Sequence, residues 1–248
     1  MTRVFNLSGG KTSAYMTIAE KPGPEDIVLF TDTGREHPAT YRFLDEIERH
    51  EGFKIHRVTY THPRSPGKTG FDALTHWKHY LPNRVKRICT VELKIMTARR
   101  YLRPLIGTRF EQFIGFRADE PQRVKNFKGT YKHTVTRFPL YEQGITKAMI
   151  NAYWETRPYN LEIPPILGNC DLCFLKGKSN IIKIMAQYPE LAEKWIEDER
   201  RSAAGRDKPS GTFFKDTTYA ELLEIALAQK TNYSLEDAEP AYSCACTA

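Results

Sequence analysis

Val4-Phe5-Asn6-Leu7-Ser8-Gly9-Gly10-Lys11-Thr12-Ser13 is an apolar run, a pair of glycines and the start of a helix continuing through Tyr15, Met16 and Ile18. Glycines at a strand-to-helix turn let the backbone approach an anion closely, because no Cβ intervenes. The unpaired amides and the positive end of the helix dipole then favour negative charge. Lys11 and the hydroxyls of Ser8, Thr12 and Ser13 add donors, so the stretch reads as a phosphate cradle. A plain strand-to-helix turn is the alternative, since short glycine motifs have false positives.

The nucleoside-triphosphate pattern G-x-x-x-x-G-K-[ST] needs a glycine where this chain has Phe5, and a second candidate, Gly67-Lys68-Thr69, fails the same way at His62. A dinucleotide fingerprint is absent. The remaining S-G-G-x-x-S resembles the PP-loop of the adenine-nucleotide α-hydrolase superfamily. That resemblance implies a loop that grips the pyrophosphate part of ATP, with attack on the α-phosphorus.

The surrounding chain alternates in kind. Asp26 to Phe30 reads as a buried parallel strand ending at Thr31-Asp32-Thr33-Gly34. Ligands of open α/β sheets bind at that carboxyl edge. Pro38 suits the first turn of a helix with Tyr41, Leu44 and Ile47 at helical spacing, and Lys54 to Tyr60 reads as another strand. Strand–helix alternation at these intervals predicts an α/β fold with a parallel sheet and right-handed crossovers. A short helix over Phe71 to Tyr80 and a strand over Glu111 to Phe116 continue it.

Phe30 to Gly34 with Pro38, Thr40-Tyr41 and Phe43 resembles the D-T-G-x-x-x-P-x-T-Y segment of the phosphoadenosine phosphosulfate (PAPS) reductase family, a branch of the PP-loop superfamily. By that resemblance Asp32, Thr33 and Gly34 line the nucleotide or its metal; on turn preference alone Asp32 could merely cap the next turn. Cys89 with Lys94 resembles the family's cysteine-then-basic element, and Gly115-Phe116-Arg117-Ala118-Asp119-Glu120 its G-x-R-x-x-E turn. There the arginine faces phosphate, a task its planar fork suits; a surface arginine is the bland reading. Phe138-Pro139-Leu140 and a helix from about Thr146 to Thr156 resemble a further family element. The implied architecture is a PP-loop (adenine nucleotide α-hydrolase-like) nucleotide-binding domain over residues 1–140. A helical region over 141–230 would carry the C-x-x-C loop, with a flexible tail over 231–248.

Composition sets bounds. The 248 residues are 40% apolar and 27% charged, as in a soluble globular chain. No apolar run approaches a membrane span and the N-terminus lacks a signal-peptide layout, which points to no membrane and to the cytoplasm. The formal charge of +7 favours anionic ligands. Residues 121 to 137 interleave Lys125, Lys128, Lys132, His133 and Arg137 with Phe127 and Tyr131, and read as a lid, a nucleic-acid strip or a solvated loop.

Five cysteines remain: Cys89, Cys170, Cys173, Cys244 and Cys246. An odd number in a reducing compartment suits metal or redox use better than structural disulfides. Structural zinc usually takes four protein ligands, and three thiolates suit a [4Fe–4S] cluster with one open iron. Cys89, Cys170 and Cys173 resemble the three-cysteine sets of ATP-dependent tRNA-thiolating enzymes, which implies such a cluster; zinc and free thiols stay open. Ser243-Cys244-Ala245-Cys246 does not reproduce the reductases' Glu-Cys-Gly tail.

The expected activity is cleavage of ATP, with Mg2+, at the α-phosphate to activate a tRNA or DNA substrate for sulfur transfer from a sulfur donor. Lys11 and Arg117 would stabilise phosphate charge in the transition state. The double glycine resembles ATP-splitting members more than reductases, whereas Thr12 replaces the usual aspartate. A sulfonucleotide reductase and a non-catalytic nucleotide-binding subunit are the alternatives.

Overall fold

Val4 and Phe5, neighbours on the first strand, are both wholly buried, so this strand is covered on both faces and must be central. The computed structural model describes residues 1–129, 131–168, 170–204 and 211–229. The expected tail, with Cys244 and Cys246, lies outside the described residues.

β1 (Arg3–Asn6), α1 (Lys11–Ala19), β2 (Ile27–Asp32), α2 (Pro38–Glu51), β3 (Ile55–Thr59) and α3 (Gly70–Lys78) alternate as the spacing predicts. A π-helical stretch, Thr90–Met96, runs into α4 (Thr97–Ile106), followed by β4 (Glu111–Phe113) and α5 (Pro121–Lys125). Then come β5 (Val135–Arg137), α6 (Pro139–Glu142) and α7 (Lys147–Glu155). The helices α8 (Lys178–Gln187), α9 (Ala192–Ala203) and α10 (Tyr219–Ala228) form the C-terminal part. The sheet has five strands, all parallel, in the order β3-β2-β1-β4-β5. This is the α/β PP-loop fold with a helical C-terminal part.

Each face has its own core. Phe5, Val28, Phe30 and Phe113 pack with α1, α2 and α7 on one side, where Phe43 and Trp154 are fully buried. Val4, Ile27 and Leu29 pack with Ala98 and Leu102 of α4 on the other. A third cluster joins α3 to α8, α9 and α10 around Trp195 and Tyr219.

Local chemistry sets the ends of α2 and α10. Pro38 opens α2, the His37 ring accepts the Ala39 amide at 3.1 Å, and Gly52 closes it at φ 74°. Thr218 and Glu221 form a reciprocal capping box at α10.

Two expectations are corrected. The polar stretch 121–137 contains α5 and the edge strand β5 rather than being irregular throughout: β5 pairs with β4 through Gln112 opposite Thr136. An edge strand with its two ends exposed leaves little hydrophobic pattern to read. β4 stops at Phe113, short of Phe116, because Gly115 turns aside to pack against the start of α1.

Candidate functional site

The phosphate loop leaves the end of β1, where the Leu7 amide still donates to Leu29 O at 2.9 Å. The Ser13 hydroxyl clasps the loop: it accepts the Ser8 amide at 2.9 Å, lies 2.8 Å from Ser8 Oγ and donates to Gly10 O at 3.1 Å. Gly9 sits at φ 80°, and a Cβ there would stand 2.5 Å from Thr40 Cγ2, so only glycine fits. Gly115 is needed for another reason. Its own Cβ would come within 3.3 Å of the Ser13 backbone.

No side chain caps α1 and no acid lies in its first turn, so its first amides have no side-chain partner among the described residues. Lys11 and Thr12 begin that turn, and Trp154 Nε1 fixes the Lys11 carbonyl at 3.0 Å. Partial burial lowers the pKa of the Lys11 ammonium, against the pull of Glu155.

Asp32 ends β2. Its Oδ1 accepts the Gly34 amide at 2.7 Å and the Tyr41 hydroxyl at 2.8 Å, while Oδ2 has no hydrogen bond among the described residues. Burial, with Asp32 beside it, pushes the Tyr41 phenol far up, so it stays a donor. The Thr33 hydroxyl donates to Glu36 Oε2 at 2.6 Å and lies 3.5 Å from Cys170 Sγ.

That contact joins the nucleotide edge to the cysteines. Glu36 bridges Cys170 in antiparallel register, and the Asp171 amide donates to Arg35 O at 2.9 Å. Burial raises all three thiol pKa values: Cys89 and Cys170 are raised further by Cys173, and Lys94 opposes the shift in each. The charge of Lys94 thus acts on all three expected cysteines. Among the described residues, no group of three or more His, Cys, Asp or Glu stands in an arrangement that could hold a metal ion.

Beneath the C-x-x-C turn, Lys176 Nζ donates to the carbonyls of Ile166 and, at 2.9 Å, Gly168. Burial brings its pKa down to about 8 against the nearby thiols.

Arg117 is differently committed from the expected free phosphate ligand. Its Nε donates to Asp119 Oδ1 at 2.8 Å and its Nη1 stands 3.4 Å from Glu120 Oε2. The turn 117–120 is thus self-paired, with Arg123 also on Glu120 at 2.8 Å.

A cavity opens beside the loop on the α4 face, lined by Asn6, Ser8, Thr31, Lys94, Gln112 and Tyr131 among others. Val4 is opposite Gln112 and Asn6 opposite Leu29 in register, which sends all of these to one face. Two of them are unusual. Among the described residues Asn6 Nδ2 and Gln112 Oε1 are buried polar atoms with no hydrogen-bond partner, a donor and an acceptor on side chains that line one space. The motif reading passed over both; the available signal was an uncharged amide beside buried apolar residues in each of two strands. Lys94 lines this cavity and also acts on the thiols, so one ammonium links the two halves of the site.

The matching family model is that of the phosphoadenosine phosphosulfate reductase domain, over residues 2–157. The uncharacterized nin region protein ORF290 of Escherichia phage lambda is 30% identical over 205 residues, 73% of this chain and 68% of that protein. An uncharacterized protein of Methanocaldococcus jannaschii is 25% identical over 76% of this chain and 39% of its own length. The chloroplastic 5'-adenylylsulfate reductase 1 of Arabidopsis thaliana is 31% identical over 119 residues, 46% of this chain and 25% of that enzyme. The chain belongs to the phosphoadenosine phosphosulfate reductase domain family of the PP-loop superfamily.

Proposed function

We propose that the chain is an enzyme that binds ATP at the sheet edge and cleaves it at the α-phosphate to activate a nucleic-acid substrate for sulfur transfer. One observation carries the reading: Lys94 lines one cavity with Ser8 of the loop and the two orphan amides, and its charge acts on the thiols. In this reading the α1 amides and Lys11 bind the terminal phosphates, and the free Oδ2 of Asp32 takes magnesium or a ribose hydroxyl. Asn6 and Gln112 read the base edge, which in adenine offers an acceptor beside a donor.

A substrate oxygen attacks the α-phosphorus, the bond to the β-phosphate breaks, and pyrophosphate leaves with the electron pair. A sulfur nucleophile then displaces AMP from the activated carbon. Lys11 stabilises the charge that develops on the departing phosphates. Arg117, held by Asp119 and Glu120, shapes the turn beside Gly115.

Cys89, Cys170 and Cys173 are the residues that would hold an iron–sulfur cluster or zinc. The described sulfurs supply the donor type and not the arrangement, so no step is drawn through such a group. Iron and sulfide that co-purify anaerobically and vanish in Cys89→Ser would place a cluster there.

The test is pyrophosphate release from ATP with and without bulk tRNA or DNA. Stimulation by one polymer supports the reading, and no release under any condition overturns it. The match to 5'-adenylylsulfate reductase favours a second reading, a sulfonucleotide reductase. Thiol-dependent sulfite release from adenylylsulfate or its 3'-phosphorylated form would select it.

A further inference from the structure

A second recess lies beyond the nucleotide cavity, along the later half of α4. Arg99 and Arg103 line one side, Lys132 and His133 the other, with Phe110 and Tyr131 between them. The four basic side chains are exposed, and none has an ion pair among the described residues. Among the described residues no carboxylate lines the recess. The unpaired arginine and lysine cations gathered in this concave site repel one another, and an anionic ligand relieves that cost.

Tyr131 is the common wall. It lines both the nucleotide cavity and the basic recess, its hydroxyl donates to Ile95 O at 3.1 Å, and its ring meets Phe110 at a centroid distance of 5.5 Å. Burial pushes the Tyr131 phenol up to about 12, with Arg99 acting the other way. A basic rim around aromatic rings is how single strands are held: cations follow the phosphates while a base lies on a π-face. A duplex keeps its bases stacked and could use only the rim.

We infer that this recess is the docking site for the phosphate backbone of a single-stranded nucleic acid, with Tyr131 as the wall it shares with the nucleotide cavity. The inference rests on the nucleic-acid acceptor proposed above and gives that acceptor its place. The recess sits at the amino ends of β4 and β5, away from the carboxyl edge where the loop leaves β1, so a strand seated there would not displace ATP.

The experiment is fluorescence anisotropy of a short labelled single strand, as RNA and as DNA, over a salt series. Wild type is compared with Arg99→Ala/Arg103→Ala and Lys132→Ala/His133→Ala. All four side chains are on the surface, and unchanged melting and ATP affinity verify that the variants fold. Each pair of substitutions is expected to weaken binding by roughly tenfold at low salt, and the arginine pair to reduce the slope of log affinity against log salt by about 1.4. Saturating ATP should leave strand affinity unchanged, and a tighter fit for RNA or for DNA names the acceptor. Variants that bind with wild-type affinity and slope overturn the recess while leaving the acceptor reading intact. Strand binding abolished by ATP also overturns it, because the cations would then serve the nucleotide. Wild type that binds no strand even at low salt contradicts both.

Discussion

Gln112 and Asn6 carry the clearest trade between stability and function. A buried acceptor without a partner costs about 1–3 kcal/mol, a cost that a ligand can remove. Gln112→Leu should therefore melt at or above the wild-type temperature, yet bind ATP roughly fivefold to tenfold more weakly. Calorimetric titration with a thermal melt checks both; a less stable variant with unchanged ATP affinity would show that Gln112 is structural. Glycine makes a second residue-scale case. Gly34 is also at positive φ, but a Cβ there meets nothing, whereas at Gly9 it strikes Thr40. Gly9→Ala should lose at least about 1 kcal/mol more than Gly34→Ala in urea denaturation, the difference being the clash. The motif made Gly9 legible; Gln112 and Asn6 were not, because their meaning depends on strand register and on a cavity that no local pattern encodes.

Between elements, Arg35 holds the two halves together. Its guanidinium is 2.6 Å from Asp72 and 2.5 Å from Asp198 on α9, between the rings of Phe71 and Trp195. Its carbonyl accepts the amide of Asp171 in the C-x-x-C turn. Arg35→Met leaves Asp198 buried without its main counter-charge, and should cost about 3–5 kcal/mol. Arg35→Met/Asp198→Leu should recover much of that loss, a double-mutant comparison readable by urea denaturation. The C-terminal helices also give stability a pH dependence. Glu199 accepts the Phe213 and Tyr219 amides, and burial pushes its carboxyl up to about 7. Between the ordinary carboxylate range and that value the folded chain holds a proton that the unfolded chain has released. The contribution of Glu199 to stability therefore falls as pH rises through this window. Glu199→Gln should be more destabilising relative to wild type at about pH 5 than at about pH 8; the reverse order would contradict the assignment. Here the sequence was legible where periodicity is strong, as in α2. It was less so at β5, a short edge strand, and at Thr90–Met96, where helical periodicity does not announce a π-helical turn.

For the whole molecule, the order of motifs along the chain implied the parallel sheet and its nucleotide edge, since strand–glycine–helix and strand–Asp–Pro patterns are local signatures of that edge. The grouping of Cys89 with Cys170 and Cys173 rests only on family resemblance. Contact between the turn after β2 and the C-x-x-C turn depends on Arg35, Glu36 and the Asp171 amide, none of which any motif marks. Among the described residues, no helix is long and apolar enough to cross a membrane. The central claim is that one ligand spans the loop and the cavity, phosphates on α1 and base between Asn6 and Gln112. Titration of ATP, repeated with inorganic pyrophosphate present, tests it most directly. The account predicts that ATP binds, that pyrophosphate competes with it, that Lys11→Ala weakens both ligands, and that Gln112→Leu weakens ATP alone. ATP that does not bind, or binds without regard to pyrophosphate, would contradict it.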